Sequence, residues 1–288
     1  MKEIIKIVKA APINMGGHLL DQPLPIEGLV QIDPFLLIHH WKNNLPGNQS
    51  EGEVGVGPHP HRGFSPVTFV FKGIVEHRDS LGNFASVGEG GTQWMFAGRG
   101  ITHSERFGKK LAKQGGEIEF IQFWVNAPSF SKMDAPYYKP IQLEDTPLIE
   151  KENVKIWLIT GEIEDKKGIV NTYSPQLLVR AAFETDGVYN FELPLDFNAL
   201  IYVLDGNLTV NGKQVGEKEM AVFSQNGTNI SVLANQQTRF ILLSGEPINE
   251  PINSYGPFVM NTQSEVMQAV KDAQMGKMGV LIEDFSGD

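Results

Sequence analysis

A chain of 288 residues with 41% hydrophobic side chains is long enough for about two self-supporting cores. Its formal net charge of -10 argues against direct binding to a nucleic-acid backbone, which wants a basic face, and the absence of cysteine removes disulfides, thiolate metal sites and a cysteine nucleophile together. The N-terminus, Met1-Lys-Glu-Ile-Ile-Lys-Ile-Val-Lys9, interrupts its apolar residues with charge, so neither a signal-peptide core nor a membrane span is expected, and the cytoplasm is the expected location.

Most of the chain reads as short strands between turns. Val67-Thr-Phe-Val-Phe-Lys-Gly-Ile-Val75 is β-branched and aromatic, Ser80-Leu-Gly-Asn83 turns, Gln93-Trp-Met-Phe96 starts again, and Glu117-Ile-Glu-Phe-Ile-Gln-Phe-Trp-Val125 follows. Between them, Lys109, Lys110 and Lys113 form a basic cluster read as a solvated loop. Ala127 to Pro147 is proline-rich and is placed as the connection between two halves, divided as 1–135 and 136–288. The second half offers strands at 154–160, 177–183, 199–204, 220–223 and 239–243, with an Asn211-Gly212 hairpin turn. Phe69-Val-Phe-Lys-Gly73 and Tyr202-Val-Leu-Asp-Gly206 share one rhythm, as a duplicated β unit would. The pattern predicts an all-β chain of sandwiches or barrels. Near the end, Thr262-Gln-Ser-Glu265 is a capping box for a short C-terminal helix, with Val266, Met267, Val270 and Met275 as core material and Gly276 as its stop.

All seven histidines lie in the first half, so a histidine site belongs there and the second half has none to offer. His59 and His61 are two apart, as are His103 and Glu105, and on a strand each pair shares a face. Two such strands facing each other inside a barrel bring three imidazole nitrogens and one carboxylate oxygen to one ion. That donor set suits Fe(II), Mn(II), Ni(II), Cu(II), Co(II) or Zn(II), and four ligands on an octahedral metal leave positions open for chemistry. His18, His39, His40 and His77 are read as ordinary surface or hydrogen-bonded histidines; His39 and His40 point opposite ways, and His77 sits among charges as part of a solvated hairpin. There is no phosphate loop and no G-x-S-x-G elbow.

The segments Pro58-His-Pro-His-Arg-Gly-Phe64, Glu76-His-Arg-Asp-Ser-Leu-Gly-Asn83, Gln93 through the His103-Ser-Glu105 triplet, Phe123-Trp-Val-Asn126 and Tyr255-Gly-Pro-Phe-Val-Met-Asn-Thr262 together resemble the pirin family of the cupin superfamily. The resemblance runs from about Asp33 to Thr262 and is densest in the first half. It implies two tandem cupin, jelly-roll-type β-barrels, with a single metal, usually iron, in the first, on His59, His61, His103 and Glu105. It implies one of two functions. The first is a dioxygenase of the quercetin 2,3-dioxygenase type, opening a flavonol-like phenol with dioxygen. The second is a redox-sensing regulator that binds a transcription factor or metabolic enzyme. In the first, Glu105 doubles as proton acceptor, and Arg62 and Gln122 are candidate contacts beside the metal or substrate. The chain departs from the family at Ser65-Pro66, where Glu-Thr is common, and at His39-His-Trp41, where an acidic residue is common. Neither departure touches the ligands; both bear on substrate preference.

Overall fold

Residues 1–285 are described by the structure, a computed structural model. Among them are twenty-six β-strands and two α-helices, Lys109–Gln114 and Gln263–Gln274, an all-β architecture with one short C-terminal helix. No helix among the described residues is long and apolar enough to cross a membrane.

The chain forms two compact units, each assembled from two segments: Met1–His39 with Glu144–Ile248, and His40–Leu143 with Asn249–Asp288. In the first, a large sheet includes, in order, the strands Glu219–Phe223, Asn198–Asp205, Thr238–Gly245, Gln176–Phe183 and Val154–Thr160. A smaller sheet is built from Asp186–Glu192, Asn229–Asn235, Asn207–Val210 and Lys213–Gly216. Alternate residues of the two sheets meet in one apolar core, with Leu158, Val179, Ile201 and Leu242 from the large sheet and Phe191, Leu208, Val210 and Val232 from the small one. Aliphatic and aromatic side chains fill this interior, so the unit has a packed apolar core. Val210 pairs with Lys213 across Asn211 and Gly212, both at positive φ, which is the two-residue hairpin that Asn-Gly predicts.

The second unit repeats the plan. Its large sheet includes Tyr137–Ile141, Thr92–Phe96, Phe64–Lys72 and Gly116–Asn126, and its small sheet runs Gly55–His61, Ile101–Arg106, Val75–Asp79, Phe84–Val87. The shared rhythm of the two halves has a structural counterpart: Gly73 and Gly206 both end a central strand of their large sheet at φ 79°. Behind Gly206, a Cβ would lie 2.6 Å from the Gln237 carbonyl oxygen, so only glycine fits that turn.

Several local expectations change. The proline-rich stretch read as a connection contains the strand Tyr137–Ile141, paired antiparallel to Thr92–Phe96; its proline is tolerated because Tyr137–Ile141 forms the sheet's edge. The lysine cluster starts a short helix, Lys109–Gln114, instead of a loop, with Ala112 buried beneath exposed lysines. The C-terminal helix carries the expected reciprocal capping box between Thr262 and Glu265, but its methionines are not core: Met267 and Met275 are exposed, and Val266 and Ala269 are buried.

Candidate metal centre

His59 and His61 lie on the strand Gly55–His61, and His103 and Glu105 on Ile101–Arg106. The two strands do not face each other across the barrel, as the spacing suggested; they are hydrogen-bonded neighbours in one sheet, with His103 directly opposite His59 and Ile101 opposite His61. Antiparallel neighbours bring opposed side chains close, so one sheet face supplies all three rings. The ring centroids are 4.4 Å apart for His59 and His103, 4.8 Å for His59 and His61, and 5.0 Å for His61 and His103. One nitrogen from each ring lies within 4.8 Å of the others.

The ladder slips between His103 and Glu105, so that Glu105 stands opposite Val56. Pro58, which has no N–H for the ladder, lies in the slipped segment, and the Gly57 carbonyl there accepts a 2.8 Å hydrogen bond from Nδ1 of His59. At Gly55 the strands approach so closely that a Cβ would stand 2.2 Å from the Glu105 carbonyl oxygen, and φ is +88°. The Gly-x-Gly-Pro-His run is thus built to carry the histidine-bearing strand past Glu105.

Glu105 is buried, and its carboxylate reaches the opposite sheet. Gln122 Nε2 donates to both of its oxygens at 2.9 Å, and the Thr68 hydroxyl lies 3.4 Å from Oε1. Gln122 and Thr68 are themselves cross-strand partners. The structure therefore brings His59, His61 and His103 into one cluster and Gln122 onto Glu105. Arg62 is engaged elsewhere: Nε donates to the Arg99 carbonyl at 2.6 Å and Nη1 to Asp272 on the C-terminal helix at 3.0 Å.

The donor chemistry fits a divalent transition metal. His61 Nδ1 and His103 Nε2 are buried with no hydrogen-bond partner, a rare state for a polar atom inside a protein unless an ion or water is to fill it. Burial, reinforced by the charge of neighbouring His59, holds the imidazoles of His61 and His103 well below the usual histidine range. They stay neutral and keep the lone pairs a metal needs. Trp124 packs edge-on against His61, and Phe64 against both, closing one side with aromatic surface.

Three of the other histidines are hydrogen-bonded, and one of these belongs to the site. His39 meets Gln22 at 2.8 Å and His40 meets Glu119 at 3.3 Å. His77 is not on a solvated hairpin: it is 1% exposed, bonded to Asp79 at 2.9 Å, 3.3 Å from His103, and stacked flat on Tyr138 with ring centroids 3.6 Å apart. Its charged sequence neighbours hid this. Alternation along Val75–Asp79 turns Val75, His77 and Asp79 inward and leaves Glu76 and Arg78 on the other face, and the period of two was the available signal. Burial opposes ionisation of Asp79, but hydrogen bonds from His77 and Asn83 outweigh it and hold the carboxyl below its ordinary range. Tyr138 was also missed. Its phenol is pushed up by burial first and by the charges of Glu105 and Asp79 next. The other unit has an open cleft of about 650 Å³ lined by Glu162, Tyr189, Phe191, Glu192 and Thr228 among others, but none of its lining residues is a histidine.

Two family models match the chain: the one described as Pirin over residues 19–125, and the Pirin C-terminal cupin domain over residues 178–279. The chain belongs to the pirin family. It carries both of the family's cupin domains. A pirin-like protein of Solanum lycopersicum is 32% identical over 96% of this pirin-family chain and 92% of its own length. The crystal structure of a quercetin 2,3-dioxygenase from Acinetobacter baumannii matches with a TM-score of 0.92 and 35% identity, covering 98% of this chain and all of that one. A bacterial pirin of Escherichia coli, solved in complex with nickel(II), matches with a TM-score of 0.66 over 84% of this chain and 98% of that one, and at 20% identity it speaks for the fold alone.

Proposed function

We propose that the protein is a metal-dependent dioxygenase of the quercetin 2,3-dioxygenase type. In this reading one divalent transition metal, Fe(II) first among the candidates, is held by His59, His61, His103 and Glu105, and the substrates are a flavonol-like phenol and dioxygen. The observation that carries the reading is the histidine triad, in which His61 and His103 are buried with an unpartnered ring nitrogen each, together with Glu105, a buried carboxylate held from the opposite sheet. The likeness to the Acinetobacter dioxygenase supports the substrate class.

When bound, the metal would supply Lewis acidity that lowers the pKa of a substrate enol. The chain's own residues do the rest. Glu105 accepts the enol proton, as a carboxylate within hydrogen-bond reach of an acidic hydroxyl can. Gln122 holds that carboxylate by both oxygens, so it meets the substrate in one orientation. Trp124 and Phe64 give a flat apolar wall for an aromatic ring and keep water from one side of the triad. Trp124 also has an indole N–H buried without a partner, a donor that a phenol oxygen can use.

The test is dioxygen consumption by the iron-loaded protein with quercetin, beside a His59→Ala control. Uptake that needs both metal and His59, with a ring-opened product, is expected. No uptake by a folded, iron-loaded protein would overturn the dioxygenase reading and favour the alternative, a redox-sensing regulator that binds a transcription factor or metabolic enzyme.

A further inference from the structure

Asp79 anchors a hydrogen-bonded chain that ends at His103. Its Oδ1 accepts from the backbone N–H groups of Leu81 at 2.9 Å and Asn83 at 3.1 Å, and its Oδ2 from the Asn83 amide at 2.8 Å. The Ser80-Leu-Gly-Asn83 turn therefore wraps the carboxylate and aims Oδ2 at Nε2 of His77, 2.9 Å away. An ionised carboxylate only accepts, so the proton in that bond belongs to His77 Nε2. A neutral imidazole carries one N–H, which leaves a lone pair on His77 Nδ1. That atom lies 3.3 Å from Nδ1 of His103. Two lone pairs would repel there, so His103 carries its proton on Nδ1 and has its lone pair on Nε2, the buried atom with no partner in the protein.

We propose that Asp79 and His77 are positioning residues that set the tautomer of His103, so that its Nε2 is presented as a metal ligand. This rests on the metal-centre reading above. The logic is that of a carboxylate fixing a metal-bound histidine, lengthened by one imidazole. His59 gains the same result in one step, from the Gly57 carbonyl. Tyr138 completes the device: it covers the face of His77 at an interplanar angle of 4°, which keeps the ring from turning its nitrogens away. The register supports the arrangement, because His103 pairs with Asp79 and Glu105 with His77 on adjacent strands.

The proposal separates two variants that a merely structural role would not. In Asp79→Asn the remaining oxygen is claimed by two backbone N–H groups, so the amide nitrogen faces His77 Nε2 and the Asn83 amide turns its oxygen toward that nitrogen. A donor there reverses the chain and puts the proton on His103 Nε2. Affinity for Ni(II), read by chelator competition on metal-stripped protein, is expected to fall about 10–100-fold, the usual cost of losing such a partner. In His77→Gln the amide oxygen can accept from His103 Nδ1, so affinity is expected to stay within a few-fold of the parent. In His77→Phe no polar atom joins Asp79 to His103, so adding Asp79→Asn to that variant should cost nothing further. Nitrogen-15 spectra of the metal-free parent should show protons on His77 Nε2 and His103 Nδ1. Unchanged Ni(II) affinity in Asp79→Asn, an equal loss when it is added to His77→Phe, or a proton on His103 Nε2 in the parent would each overturn the relay. A folded parent that binds no Ni(II) would instead overturn the metal centre itself, and a parent that binds Ni(II) but, loaded with iron, consumes no dioxygen with quercetin would overturn only the dioxygenase reading.

Discussion

Gln122 donates one amide nitrogen to both oxygens of Glu105, at 2.9 Å each, and so ties the strand Ile101–Arg106 to the opposite sheet through a single buried carboxylate. The contact makes Glu105 an oriented group and predicts two different losses. Glu105→Gln is expected to fold, because an amide can still meet Gln122, and to lose about 10²–10⁴-fold in kcat, the usual worth of a positioned proton acceptor. Gln122→Leu keeps the acceptor and loses its aim, so a smaller fall in kcat is expected, with little change in metal content. Steady-state dioxygen uptake with metal analysis on both variants checks this; an unimpaired Glu105→Gln would remove Glu105 from the proton step.

Metal binding to the triad should appear as stability. An ion that binds only the folded chain adds about 2.7 kcal/mol at a concentration 100-fold above its Kd. Ni(II) is therefore expected to raise the melting temperature in a concentration-dependent way, and a chelator to reverse it. His61→Ala should show no shift at the same concentrations. A shift of equal size in that variant would place the ion elsewhere.

His39 sets an acid-sensitive term in the other unit. Burial lowers its pKa to about 4 from the ordinary 6.5. Between those values the unfolded chain takes up a proton that the folded chain refuses. The contribution is thus fully present above about pH 6.5 and is lost as the pH falls toward 4, by on the order of 3 kcal/mol across that window. His39→Gln can keep a partner for Gln22 and removes the titration, so its urea midpoint should fall less between pH 7 and pH 4.5 than that of the parent.

Lys132 is a buried cation whose Nζ donates to the Gly63 carbonyl at 2.7 Å, to Asn126 Oδ1 at 2.6 Å and to the Val259 carbonyl at 3.0 Å. It pins the Gly63 turn, two residues from His61, where a Cβ on Gly63 would stand 2.0 Å from the Val259 oxygen. Lys132→Met keeps the volume and strips the donors from three acceptors. A loss of about 2–4 kcal/mol is expected in urea unfolding, since hydrogen bonds to a charged group are worth about 1.5–3 kcal/mol and their buried partners are left unsatisfied. A change below about 1 kcal/mol would show that water replaces the ammonium.

The sequence by itself determined the all-β class, the Asn211-Gly212 hairpin, the capped C-terminal helix and the three histidines that cluster. Each rests on local rules: a period of two along strands, turn chemistry, and the i, i+2 spacing that puts two side chains on one face. Within the proline-rich stretch, edge pairing, a tertiary relation, decides that the proline-bearing segment Tyr137–Ile141 becomes a strand. Only the tertiary structure decided that the two strands bearing His59, His61, His103 and Glu105 are neighbours in one sheet, that Gln122 reaches Glu105 while Arg62 turns to Asp272, and that His77 and Tyr138 lie against the histidine cluster. These are contacts between residues far apart along the chain or on different strands, set by register and sheet packing. A slip of one residue, as between His103 and Glu105, re-aims every side chain beyond it, and no local pattern in the sequence records which strands will meet.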